Sequence, residues 1–310
     1  MFAQSLIALV SLLSVQAAKT GTGPVVLNPL PTSRYVSAAA VNGPGRKDLE
    51  SVGAEITAKA GAVLDVDSGR FLYEKNANAA FPIASLTKLM TVMTFLDSQP
   101  NLDDVATVLP EDDTGEGASV FLPNEQLTKR ELVRAALVGS VNAAAAALAR
   151  STGDHDAFIH AMNEKARSLG LTHAVFVDPT GLDPKNQASA KDVALALRSA
   201  LLYHDIREAT QMDAYDVKGR STGHVYHIKS TNLLLESFLN KDPYRIVAGK
   251  TGSLPEAGYC FAQATRNPEG KEIIAVVLGS DTAFARFDDV KALTWWAFQN
   301  YAWPKVAVAP

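Results

Sequence analysis

The chain's hydrophobic periodicity predicts an α+β fold with one antiparallel sheet assembled from both ends of the sequence. Three observations carry this: alternating apolar residues around positions 62–73, a helix-patterned block from Ser85 to about Tyr203, and strand patterns that return at Arg245 and are closed by one last helix. In the first segment Ala62, Leu64 and Val66 fall on one side of a strand. Asp67-Ser68-Gly69 supplies a turn, and Phe71, Leu72 and Tyr73 begin the return, which makes a β-hairpin. The helical block contains the run from Leu86 to Leu96, the segment from Lys129 to Val138, the alanine-rich stretch from Ala143 to Ala149, the amphipathic stretch from Phe158 to Leu169, and the run from Lys191 to Leu202. Thr128 precedes the second of these with Glu131 three residues on, the spacing of a capping box. Strands are predicted again from Arg245 to Ala248, Tyr259 to Thr265 and Ile273 to Leu278, the last two separated by the turn Asn267-Pro268-Glu269-Gly270. A final helix from about Phe287 to Tyr301 carries Val290, Leu293, Trp296 and Ala297 on one stripe. That spacing assigns the nearby tryptophans, Trp295, Trp296 and Trp303, to packing and not to a sugar platform.

Composition excludes several function classes. With 310 residues, 47% hydrophobic and 20% charged content, the chain is long and apolar enough to bury a large core. Its formal charge of −4, with basic clusters no longer than pairs such as Lys129-Arg130, argues against a nucleic-acid partner. Residues 1–17 read as a signal peptide: an apolar stretch from Leu6 to Leu13 is followed by Val15 and Ala17 at the −3 and −1 positions, although no Lys or Arg precedes it. No segment has the ~18 consecutive apolar residues of a membrane helix, so no transmembrane anchor is expected in the mature chain. Residues 18–55, rich in Gly, Pro, Ser and Thr, read as a linker, 56–303 as the folded domain, and 304–310 as a tail. The single cysteine, Cys260, excludes an internal disulfide and is expected to pack as a small apolar residue in a strand.

Chemistry is expected to start at Ser85-Leu86-Thr87-Lys88, where a serine is followed three residues later by a lysine. On a helix these positions share a face with Cβ atoms about 5–6 Å apart, so an amine can take the proton of a serine nucleophile. Two further triplets each occur twice. Lys19-Thr20-Gly21 lies at the signal junction, whereas Lys250-Thr251-Gly252 follows the β-branched pair Ile246-Val247 and is flanked by Gly249. The second copy is therefore preferred: its glycines would let a peptide-like ligand approach the strand, and Lys250 and Thr251 would meet a carboxylate. A phosphate loop is excluded, because Tyr244 stands where that pattern needs glycine. Ser140-Val141-Asn142 falls between two helices and is preferred over Ser230-Thr231-Asn232, which runs into Leu233-Leu234-Leu235 like a helix cap. Here Ser140 would relay a proton and Asn142 would bind a substrate carbonyl and the lysine. His224 and His227, or His155 and His160, have no metalloprotease spacing, and no metal site is expected. Asp178-Pro179-Thr180-Gly181 is expected to be an architectural turn, and Arg286 is a further candidate for carboxylate binding.

The order SxxK, SxN, KTG in these contexts resembles the penicillin-recognising serine enzymes. The stretches Ala84-Ser85-Leu86-Thr87-Lys88-Leu89-Met90-Thr91, Asp178-Pro179-Thr180-Gly181-Leu182, Thr231-Asn232-Leu233-Leu234 and Lys250-Thr251-Gly252 with Ala257-Gly258-Tyr259 are similar to low-molecular-weight penicillin-binding proteins of the D-alanyl-D-alanine carboxypeptidase and endopeptidase family, over about residues 55–303. This resemblance implies a β-lactamase/transpeptidase-like fold with the active site between the sheet and a helical subdomain. It implies Ser85 as nucleophile, Lys88 as its base and Ser140 as the third catalytic group, with Asn142, Lys250, Thr251, Gly252 and Ser253 binding substrate. The oxyanion hole would be the backbone N–H groups of Ser85 and Ser253. No cofactor is implied. The expected partners are peptidoglycan stem peptides as substrates and β-lactam antibiotics as inhibitors, in the periplasm or cell envelope of a bacterium. The short ending after the last helix, with Gly258-Tyr259-Cys260, is also similar to the endopeptidase branch, so cleavage of cross-links is the alternative to removal of a terminal D-alanine. A serine β-lactamase is less expected, since its deacylating glutamate sits in a Glu-x-x-x-Asn loop and no such loop is expected between Ser140 and Lys250. A non-catalytic penicillin-binding sensor is disfavoured by retention of all three triplets.

Overall fold

The structure, a computed structural model, describes residues 43–113 and 120–304. The signal peptide, the first part of the linker and all but the first residue of the tail lie outside the described residues. Of the segment read as a linker, Gly45–Arg46 pairs antiparallel with Tyr301–Ala302, which ties residues 45–46 to the end of the last helix.

The predicted sheet is present and has five strands. β1 (Ala60–Asp65) and β2 (Phe71–Lys75) form the hairpin from one end of the chain, and β3 (Arg245–Leu254), β4 (Gly258–Arg266) and β5 (Glu272–Ser280) come from the other. Their spatial order is β3-β4-β5-β1-β2, antiparallel throughout, which leaves β3 as an edge strand. Period-two alternation divides the sheet's two faces: Ile274, Val276 and Leu278 point into one apolar cluster while Ile273, Ala275 and Val277 point into another. Alanines at positions 60, 62, 262 and 264 also face the first cluster, so helices can lie close to that side.

Seven helices are described: α1 (Thr87–Asp97), α2 (Lys129–Val138), α3 (Asn142–Arg150), α4 (His155–Ser168), α5 (Ala190–Ala200), α6 (His204–Thr210) and α7 (Ala285–Asn300). Helices α1 to α5 share the first cluster with the sheet, whereas α7 covers the opposite face through Phe287, Val290, Leu293 and Ala297. The capping box at Thr128 is formed as predicted: its backbone N–H donates to Glu131 Oε2 at 2.6 Å and its hydroxyl accepts from the Glu131 N–H at 3.2 Å.

Several features differ from the sequence reading. α6 and the hairpin Ala214–Lys218 with Val225–Lys229 were not anticipated, because these short elements alternate charged with buried residues and carry little apolar run. β3 does not stop at Ala248 but continues through the KTG triplet to Leu254, since pairing with β4 persists despite two glycines and a lysine. Trp296 and Trp303 pack against Tyr73 and Phe298, as expected. Trp295 does not join them: it is 46% exposed in a surface cluster with Phe238 and Tyr244. Cys260 is buried, and burial pushes its thiol up to about 11, which suits a packing role.

Candidate active site

An open groove of about 670 Å³ runs between the end of β3 and the helical block, and Ser85, Ser140, Asn142 and Ser253 all line it. The structure therefore gathers the three sequence-predicted segments in one place. Each is positioned by a local feature of the chain.

Ser85 does not sit in an α-helix as expected; it lies in a 3₁₀ turn, Ala84–Leu86, that feeds directly into α1. The turn is tight because Ala84 adopts a left-handed backbone with φ of 48°, a conformation that alanine takes only when its surroundings hold it. Lys88, in the first turn of α1, still reaches back three residues, and its Nζ is 2.7 Å from Ser85 Oγ. The same amine donates to Asn142 Oδ1 and to the Thr180 carbonyl, both at 2.7 Å. Lys88 is 0% exposed, and burial lowers its pKa to about 7, against the pull of the Asp178 carboxylate in the other direction.

The partners of this amine set its chemistry. Asn142 Oδ1 and the Thr180 carbonyl only accept hydrogen bonds, so a neutral amine gives them its two N–H groups and turns its lone pair to the Ser85 hydroxyl. That is the arrangement of a base beside a nucleophile. The Thr180 carbonyl is the contact of this amine that the sequence reading missed, since a backbone carbonyl leaves no mark in residue type. The turn that delivers it was recognised as architecture: Asp178 Oδ1 accepts from the Thr180 N–H at 2.6 Å and the Gly181 N–H at 2.8 Å, while Oδ2 accepts from the Asp183 N–H at 2.9 Å. Thr91 Oγ1 in α1 donates to the Pro179 carbonyl at 2.6 Å, which pins the turn to the helix bearing Lys88.

Gly181 makes that contact possible. Its φ is +85°, and a Cβ there would lie 2.1 Å from the carbonyl oxygen of Ala84, one residue before Ser85. Gly181→Ala is expected to destabilise the fold by about 2 to 4 kcal/mol, combining left-handed strain with overpacking. Any reactivity of Ser85 should fall with it, because the Ser85 turn must move aside. Denaturant unfolding alongside an acylation assay checks this; a variant with unchanged stability and rate would contradict the role given to the turn.

Ser140 and Asn142 come from the connection between α2 and α3, as predicted, with Asn142 opening α3. Ser140 is left-handed, with φ of 58°, and its Oγ accepts from Lys250 Nζ at 2.7 Å. Lys250 also donates to the Thr251 carbonyl at 2.8 Å. It is buried and held well below its ordinary pKa, first by desolvation and then by the nearby cations Lys88 and Arg286. Thr251 Oγ1 donates to Thr231 Oγ1 at 2.6 Å, while Asn232 caps the turn Leu233–Glu236 through the Leu234 N–H, as the cap reading of Ser230-Thr231-Asn232 requires. Arg286 Nη1 donates to the Gly252 carbonyl at 3.1 Å and adds a guanidinium near this end of β3.

Two expectations need correction. The glycines flanking Lys250 and Thr251 do not face a ligand: a Cβ on Gly252 would meet Ile83 O at 2.9 Å and Ser85 N at 3.0 Å, and one on Gly249 would meet the Asn232 amide at 3.0 Å. Their bareness lets the Ser85 turn and Asn232 pack on the strand. A Glu-x-x-x-Asn spacing does occur between Ser140 and Lys250, at Glu236 and Asn240, but Glu236 is exposed on a 3₁₀ turn. Asn240 is spent on backbone, donating to the Leu235 carbonyl and accepting from the Ile246 N–H. Neither lines the groove.

The chain is similar to known proteins over most of its length. A family model described as D-alanyl-D-alanine carboxypeptidase matches residues 47–282. The D-alanyl-D-alanine endopeptidase of Pseudomonas aeruginosa is 33% identical over 249 residues, covering 78% of this chain and 77% of that protein. Among solved structures, the Streptomyces K15 DD-transpeptidase superposes with a TM-score of 0.74 at 29% identity, covering 80% of this chain and all of that one. Penicillin-binding protein D2 of Listeria monocytogenes, in its cefotaxime-bound form, superposes with a TM-score of 0.69 at 31% identity, again over 80% of this chain and all of that one.

Proposed function

Since the chain belongs to the D-alanyl-D-alanine carboxypeptidase family, a family of serine DD-peptidases, we propose how the residues of its groove divide the reaction. Ser85 is the nucleophile and Lys88 the general base. The Ser85 oxygen attacks the penultimate carbonyl of a peptidoglycan stem ending in D-Ala-D-Ala, and its proton passes to Lys88 Nζ. The developing oxyanion is held by the backbone N–H groups of Ser85 and Ser253, a term worth about 10² to 10³ in rate for each donor. Ser140, bonded to Lys250, passes a proton to the amine of the departing D-alanine, and water then releases the acyl-enzyme. Lys250 and Thr251 form the wall that meets the terminal carboxylate, with Arg286 behind it, and Asn142 faces the substrate amide. The observation that carries this reading is the contact of the buried Lys88 amine with Ser85 at 2.7 Å.

β-Lactams acylate the same serine in this reading. The work is done outside the cytoplasm, in the periplasm or cell envelope, which residues 1–17 support by their signal-like pattern. No described helix is long and apolar enough to cross a membrane. The second reading, cleavage of cross-links between stems, is favoured by the endopeptidase name of the Pseudomonas relative. Mass spectrometry of products decides between them. From a defined pentapeptide the enzyme is expected to release a single D-alanine; splitting of a cross-linked muropeptide dimer with the pentapeptide left intact would replace carboxypeptidase by endopeptidase.

A further inference from the structure

A second cavity lies at the opposite end of β3 from the peptidase groove. It has a volume of about 360 Å³, and its lining includes Arg207 and Glu208 from α6, Arg245 from the start of β3 and Arg266 from the end of β4. Lys250 lies five steps along the strand from Arg245, roughly 16 Å at the usual rise, so this cavity is distinct from the groove.

The charges around it do not cancel. Glu208 is held by Arg134 at 2.8 Å, and Arg266 is paired with Glu272. Arg207 and Arg245 have no ion-pair partner among the described residues, and the Nε of Arg207 is buried without an acceptor. A buried guanidinium N–H with nothing to donate to marks a place for a water or an ion. Planar guanidinium forks match the geometry of oxyanions, and a cavity this size admits a small one.

A cation is the competing occupant, because ligand atoms of His204, Asp205 and Glu208 lie within 4.8 Å of one another. Both carboxylates are already engaged, Asp205 by Arg130 at 2.9 Å and Glu208 by Arg134. The free charge beside them is positive, and it repels a metal ion.

We propose that this cavity binds a phosphate-class oxyanion, separately from the peptidase reaction. The ligand is a free phosphate or the phosphodiester headgroup of an anionic lipid surface, which present the same oxygens to Arg207 and Arg245. Isothermal titration of inorganic phosphate into the full chain tests the site against the variant Arg207→Gln/Arg245→Gln. Saturable binding is expected, weakened about tenfold or more in the variant, since charge-assisted hydrogen bonds are removed. The rate of acylation by a fluorescent penicillin should stay unchanged, and matching thermal melts establish that the variant folds. Arg245 is exposed, so Arg245→Gln alone serves if the double variant does not fold. Co-sedimentation with phosphatidylglycerol vesicles, against phosphatidylcholine vesicles, separates the two sources: capture by the anionic vesicles that the variant loses assigns the headgroup, and no capture assigns the free ion. Absence of saturable phosphate binding, or equal binding by both proteins, overturns the proposal.

Discussion

Ser85→Ala is expected to abolish covalent labelling by a fluorescent penicillin and to lower peptidase turnover by about a million-fold, the scale seen when a serine nucleophile is removed from a comparable apparatus. The loss should be chemical and not structural. Lys88 keeps Asn142 Oδ1 and the Thr180 carbonyl, so both N–H groups of a neutral amine retain their acceptors and only its lone pair loses a partner. A lowered pKa makes that neutral form accessible at ordinary pH. The variant should therefore retain a melting temperature close to that of the parent. Labelling at the parent's stoichiometry would remove Ser85 from the mechanism, and a collapsed melting curve would mean that its hydroxyl is needed for the fold.

What the sequence disclosed of this site, and what it hid, follows from where chemical information resides. Side chains proposed to act through their own functional groups stood out by type and spacing: Ser85, Ser140 and Asn142 line one groove, with Lys88 bonded to Ser85 and Lys250 to Ser140. The sheet was legible because its strands alternate or are continuously apolar, and helices α1 to α5 because their apolar residues recur on one face. Backbone contacts left no mark of their own in residue type; the oxyanion N–H groups of Ser85 and Ser253 were named only through the family resemblance. The Thr180 carbonyl could have been any residue's, and only the tight Asp178-Pro179-Thr180-Gly181 turn signalled that the chain there was fixed. The glycines beside Lys250 were correctly marked as places of close approach, but sequence cannot say what approaches, and the answer was the Ser85 turn and Asn232. The left-handed backbones of Ala84 and Ser140 were equally hidden, because neither residue type announces that geometry.

The acylation rate should rise with pH through the range around 7, because only the neutral Lys88 amine can take the Ser85 proton. Burial favours the uncharged form and lowers the pKa to about 7; the Asp178 carboxylate opposes this without overcoming it. Below that value the neutral fraction falls tenfold per pH unit, so the second-order rate of acylation by penicillin should fall about tenfold per unit, and above it the rate should level off. Lys88→Arg gives the complementary test. A guanidinium stays protonated across the whole range, so it can fill space and donate hydrogen bonds but cannot act as the base. Losing a general base costs about 10² to 10⁴ in rate, and the residual activity of the variant should lose its dependence on pH near 7. Lys250 provides a control of opposite meaning. Its proton is held weakly because of desolvation and the neighbouring Lys88 and Arg286, and a substrate carboxylate against it would favour the charged form. Lys250→Arg, which keeps a cation for that carboxylate, should therefore retain the rise around pH 7 even where its geometry slows the reaction. Stopped-flow acylation between pH 5.5 and 8.5 measures all three proteins; a flat profile for the parent, or the same rise in Lys88→Arg, would show that the proton of Ser85 leaves by another route.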